Sequence, residues 1–62
     1  MNSRTIIAKL KQAGFEIVRV RGSHHVLANR QSGRQTVIPH PRKEIGAGLL
    51  RAIERQTGVK LR

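Results

Sequence analysis

The sequence predicts a small α+β domain in which a three-stranded antiparallel sheet carries two helices on one face. Three observations lead to this fold class. Apolar residues recur with helical spacing near both ends of the chain, segments rich in β-branched residues fill the middle, and glycine or proline separates the segments. The resulting order, α-β-β-β-α, forms two layers when both helices pack on the same side of the sheet. The opposite face of the sheet is then open to solvent.

Both helices have recognisable ends. The first is predicted over residues 3–13, because an apolar stripe follows Ser3, which can cap the helix, and Gly14 can end it in a left-handed conformation. The second is predicted over residues 47–57, where leucine and isoleucine share one side and Gly58 supplies the stop. Residues 59–62, which follow Gly58, are expected to fray or to add a short edge strand.

Three strands are predicted between the helices, over residues 15–21, 24–29 and 34–39. Gly22 and Ser23 form a two-residue connection that suits a hairpin with glycine at the first central position. A polar loop joins the second strand to the third. Prolines end the third strand, because each removes a backbone donor.

Strand alternation decides which side chains share a face. In the first strand, Ile17, Arg19 and Arg21 are predicted to lie together. His24 and His25 are adjacent in the second strand, so they point to opposite faces and cannot bind one metal ion together in regular geometry. One histidine therefore faces the helices, and the other lies on the open side near basic residues.

The chain forms one domain, residues 1–62, and carries a large positive charge. Thirteen Lys and Arg residues against three Asp and Glu give a net charge of +10. Solubility of a small domain needs a charge of only about two to eight, so a polyanion such as nucleic acid is the first candidate partner. No apolar stretch approaches a membrane span or a signal peptide, and we expect a cytoplasmic protein that does not bind membranes.

Aromatic side chains are nearly absent, since Phe15 is the only Phe, Tyr or Trp. Proteins that read single-stranded bases normally stack them on several aromatic rings. Contacts with phosphates should therefore dominate. The candidate RNA-binding residues are Arg19, Arg21, Arg34, Arg42 and Lys43.

The sequence contains little material for metal or cofactor chemistry. There is no cysteine and no phosphate-binding loop, and Glu16, Glu44 and Glu54 are the only carboxylates. We therefore expect no cofactor and no metal. RNA can still be cleaved through its own 2′-hydroxyl when a side chain such as His24 transfers protons and cations stabilise the developing charge. From spacing alone, both adjacent histidines fit an ordinary structural role at least as well.

Several blocks of the sequence, taken together, resemble HicA toxins. They are residues 20–25, with the run Val-Arg-Gly-Ser-His-His, residues 36–41 and residues 50–58, in the order and spacing of that family. The opening residues 3–7 and the pair Gly14 and Phe15 fit as well, so the resemblance covers nearly the whole chain.

The resemblance implies a fold like that of the double-stranded-RNA-binding domain, metal-independent cleavage of messenger RNA, and neutralisation by a HicB antitoxin that covers the active site. The catalytic histidine of the family is the first after Gly-Ser, which is His24 here. Gly22 and Ser23 carry over as the turn that supports it. For His40, a role in shaping its loop remains the expectation.

Two other interpretations remain. A non-catalytic RNA-binding module of the same fold would use the same cations for phosphates and leave RNA intact. DNA binding is disfavoured, because Arg51 and Arg55 are the only basic residues of the second helix and no pattern suits base edges. We expect no direct DNA binding, since the antitoxin usually binds DNA in the related systems.

Overall fold

Two helices pack on one face of a three-stranded antiparallel sheet in the computed structural model, which describes residues 1–62. The elements are α1 (Ser3–Gln12), β1 (Glu16–Arg21), β2 (His24–Ala28), β3 (Gln35–Pro39) and α2 (Ala47–Thr57), and the strand order is β1-β2-β3. The predicted α-β-β-β-α order is therefore confirmed. Neither helix is long and apolar enough to cross a membrane.

The core lies between the sheet and the helices. Leu27 of β2 and Ile38 of β3 are completely buried. They belong to a cluster of ten buried hydrophobic residues that includes members of both helices. Burying one such side chain stabilises the fold by about 1.5–3 kcal/mol. Leu61 belongs to this cluster and its backbone N–H donates to the Glu54 carboxylate at 2.8 Å. The expectation that the last residues fray or form an edge strand was therefore wrong.

A β-bulge in β1 changes which side chains share a face. Ile17 lies opposite Leu27, whereas Arg19 lies opposite Val26, so β1 has one extra residue between these pairs. The extra residue reverses the alternation. Ile17 is on the helix side and Arg19 and Arg21 are on the open face, which corrects the prediction that all three lie together.

The N-terminus of α1 also differs from its prediction. Asn2, not Ser3, is the N-cap, and its side-chain oxygen accepts a hydrogen bond from the Thr5 N–H at 2.8 Å. Ser3 is instead the first helical residue and is almost completely buried. Its hydroxyl is thereby free for a tertiary contact, because the capping position is already filled.

Candidate active site

The candidate site is built on the turn between β1 and β2. Gly22 has a φ of 55°, which a residue with a side chain adopts only with strain. A Cβ at this position would meet no atom within 4 Å. Glycine is therefore required here by the backbone conformation and not by crowding.

His24 follows this turn and is exposed on the open face of the sheet. It lies opposite Arg21 of β1 and, on its other side, opposite Pro39 of β3. Side chains directly opposite in an antiparallel pair have Cβ atoms about 4.5–5.5 Å apart. The imidazole of His24 and the guanidinium of Arg21 can therefore contact the same phosphate group.

His25 points to the helix side and is half-buried. Its ring meets that of His40 edge-on, with centroids 4.9 Å apart and an interplanar angle of 85°. The Nδ1 atom of His25 is buried without a hydrogen-bond partner. The two adjacent histidines thus have different surroundings, and only His24 faces solvent on the open side.

None of the three carboxylates pairs with His24, and each contacts another group. Glu16 pairs with Arg30 at 3.0 Å, and Glu44 pairs with the N-terminal ammonium. The Leu61 N–H holds the pKa of Glu54 below its ordinary value, and Arg62 acts in the same direction. No group of three His, Cys, Asp or Glu side chains lies close enough to bind a metal ion.

The predicted RNA-binding residues divide between the two ends of the sheet. Arg19 and Arg21 share the open face with His24. Arg42 and Lys43 follow His40, whose backbone N–H donates to the Ser23 carbonyl of the turn at 2.7 Å. These four cations therefore lie toward the end of the sheet that carries the turn.

Arg34 is the predicted RNA-binding residue that the structure does not bring to the turn. It lies in the loop beyond β2, and a strand of five residues at about 3.3 Å each places that loop roughly 15 Å away. Its guanidinium donates to the Arg55 carbonyl at 3.4 Å, beside Gly58. The positive charge of Arg34 therefore lies at the C-terminal end of α2, where the helix dipole is negative.

Sequence reasoning missed the contact between Ser3 and His40. The Ser3 Oγ lies 2.7 Å from the His40 Nδ1, although 37 positions separate the two residues. Serine before a helix predicts a cap, and histidine between prolines predicts a loop. No local pattern indicates that the two side chains meet.

Comparison with known proteins finds a matching family and a similar fold. A family model described as the HicA toxin of bacterial toxin-antitoxin matches residues 3–59. A solved structure described as a HicA3 and HicB3 toxin-antitoxin complex contains a similar chain, with 32% identity, a TM-score of 0.79 and a match covering 100% of both chains. No curated protein sequence matches the chain.

Proposed function

The chain belongs to the HicA toxin family, and from that premise we propose that it is a metal-independent endoribonuclease that cleaves messenger RNA, with His24 as its catalytic residue. One observation carries the proposal. His24 is exposed on the open face directly opposite Arg21, with every carboxylate engaged elsewhere. A proton-transfer group and a fixed cation are the two components that RNA cleavage through the 2′-hydroxyl requires.

In the proposed reaction, the RNA 2′-oxygen attacks the adjacent phosphorus and the bond from phosphorus to the 5′-oxygen breaks. The products are a 2′,3′-cyclic phosphate and a 5′-hydroxyl. The imidazole of His24 performs one of the two proton transfers, either from the 2′-hydroxyl or to the departing 5′-oxygen. Such a group contributes about 10² to 10⁴ in rate. Arg21 stabilises the negative charge that develops on the phosphate oxygens.

Substrate binding is assigned to the cations around the turn. Arg19 and Arg21 lie on the open face, and Arg42 and Lys43 lie in the loop after β3. None of these four side chains takes part in the three ion pairs of the structure. They are available for RNA phosphates, and binding should weaken steeply with salt because phosphate contacts release counterions.

The proposal includes a HicB-like antitoxin that covers the open face. The similar solved chain comes from a toxin-antitoxin complex. The net charge of +10 favours an acidic partner surface over the same cations that would bind RNA. Antitoxin and RNA would then compete for His24.

Cleavage of a defined oligoribonucleotide in EDTA tests the proposal. Wild-type protein should cleave it and leave 2′,3′-cyclic phosphate ends, whereas a 2′-deoxy substitution at the cleavage site should abolish the cut. His24→Ala should cleave at least about 100-fold more slowly. Equal cleavage by the variant would contradict the catalytic role. Salt-dependent binding that leaves the RNA intact would instead identify a non-catalytic RNA-binding module.

A further inference from the structure

The hydroxyl of Ser3 is the centre of a hydrogen-bond network at the start of α1. Its Oγ lies 2.7 Å from the His40 Nδ1, 2.9 Å from the Arg42 backbone nitrogen and 3.2 Å from the Arg42 carbonyl oxygen. A serine next to a histidine resembles a nucleophile with its base. Ser3 is only 1% exposed, however, so its hydroxyl cannot reach a substrate. The pair must act within the protein.

The three contacts specify where the proton on His40 lies. A serine hydroxyl has one hydrogen to donate and two lone pairs to accept with. The Arg42 N–H must donate to Ser3, and the Arg42 carbonyl can only accept. All three contacts are satisfied together only when His40 carries a proton on Nδ1 and donates it to the Ser3 Oγ.

His40 is also connected directly to the catalytic turn. Its backbone N–H donates to the Ser23 carbonyl at 2.7 Å, the shortest main-chain bond outside the helices and strands. Pro39, which lies opposite His24, has no N–H to donate. The residues of the turn are themselves exposed. The His40 N–H, one residue beyond β3, is therefore a direct backbone contact with this turn.

We infer that Ser3 and His40 are positioning residues for His24. The Ser3 hydroxyl fixes the His40 ring through Nδ1, the fixed ring holds the His40 backbone against Ser23, and Ser23 sets the direction in which His24 leaves the turn. This inference rests on the proposed catalytic role of His24. Ser3 is buried and His40 acts through its backbone contact with Ser23, so a purely positioning role predicts that their loss changes kcat and leaves KM nearly unchanged.

A matched pair of variants at the N-terminus of α1 separates positioning from stability. Ser3→Ala removes the hydroxyl that holds His40, whereas Asn2→Ala removes the helix cap and leaves His40 untouched. Both should lower the Tm. Only Ser3→Ala should lower kcat, by roughly 10-fold, since small misplacement of a catalytic group is costly. Equal kcat values for the two variants would overturn the positioning role.

Two substitutions of His40 provide a second test that does not depend on Ser3. The amide of Asn can place an N–H near the position of Nδ1, and the longer amide of Gln places it near Nε2. His40→Asn should therefore retain kcat within about twofold, and His40→Gln should lose roughly 10-fold, as Ser3→Ala does. The same loss in both variants would contradict a role for the Nδ1 proton.

NMR distinguishes a failure of this inference from a failure of the proposed function. The ¹⁵N shifts of His40 should show a protonated Nδ1 in the wild-type protein, and Ser3→Ala should speed amide exchange at His40. A proton on Nε2 alone would overturn the inference even in a protein that cleaves RNA. A wild-type protein that leaves RNA intact would overturn the proposed function, and the positioning role with it.

Discussion

The two ends of the sheet use their positive charge differently. At the turn end, which carries Gly22, Ser23, His24 and His40, the arginines of the open face form no ion pair. At the loop end, which carries residues 29–34, Arg30 pairs with Glu16 and Arg34 donates to the end of α2.

The difference shows that a net charge of +10 does not by itself locate a binding site. Cations at the loop end have structural partners, because a carboxylate or a helix C-terminus already compensates their charge. Cations at the turn end repel one another until an anion arrives. Arg19 and Arg21, on the face that carries His24, therefore have no counter-charge within the fold, and substitutions at the two ends should have different effects.

The largest difference is expected between Arg21→Ala and Arg34→Ala. Arg21 lies opposite His24, so its loss should lower kcat/KM by about 10- to 100-fold, the effect of removing one charged hydrogen bond. Arg34→Ala removes the same charge at the loop end and should stay within about twofold. RNA cleavage rates measured at one salt concentration check the comparison. Equal losses of kcat/KM in the two variants would mean that cleavage depends on net charge and not on the position of the arginine.

Glycine substitutions compare the ends without changing charge. Gly22 and Gly33 both have positive φ, at 55° and 73°, and a Cβ at either would meet no atom within 4 Å. Alanine at each should therefore lower the free energy of unfolding by a similar amount, about 1–2 kcal/mol. Only Gly22→Ala should also lower kcat, by roughly 10-fold, because it moves His24. Urea unfolding and cleavage assays on both variants decide this.

Arg34→Ala should have its own effect on stability. The guanidinium lies at the C-terminus of α2, where a cation contributes about 0.3–1 kcal/mol at low ionic strength. Arg21→Ala, at the turn end, should leave the free energy of unfolding unchanged or slightly raised by reduced repulsion. Urea unfolding at low and high salt measures both, and the Arg34 effect should shrink as salt rises. A loss that is independent of salt would contradict the dipole explanation.

The smallest expected effect is on how the free energy of unfolding depends on pH. The Leu61 N–H lowers the pKa of Glu54, so this carboxylate stabilises the fold above the pKa it has in the unfolded chain, and the contribution is lost as the pH falls through the lowered value. Glu54→Gln keeps an acceptor without the charge. The variant should therefore lose less stability than wild type between about pH 7 and pH 3 in urea unfolding. Identical pH dependence would contradict this role.

Local sequence signals account for most of the fold. The α2 prediction matches Ala47–Thr57 because apolar spacing and Gly58 act within one segment, and Gly58 has the expected left-handed φ of 73°. The bulge in β1 was missed, since an extra residue is defined only against the partner strand. The burial of Leu61 was missed for a similar reason, because the side chains of its hydrophobic cluster come from both helices and the sheet.

The candidate site was predictable in its centre and not in its surroundings. Gly-Ser-His is contiguous, so the sequence alone indicates the turn and places His24 directly after it, and the family resemblance then singles out this histidine. The contact of Ser3 with His40 spans 37 positions, and the separate structural role of Arg34 depends on α2. Both features arise only in the folded chain. Locally, Ser3 indicates a helix cap and Arg34 indicates only a cation.

Chemical rescue of His24→Ala tests the central claim most directly. With enzyme in excess, the variant should bind the oligoribonucleotide normally and cleave it about 10² to 10⁴ times more slowly than wild type. Added imidazole should restore part of the rate in His24→Ala and should not accelerate Arg21→Ala. That result would identify proton transfer at position 24. Undiminished cleavage by His24→Ala would contradict the account.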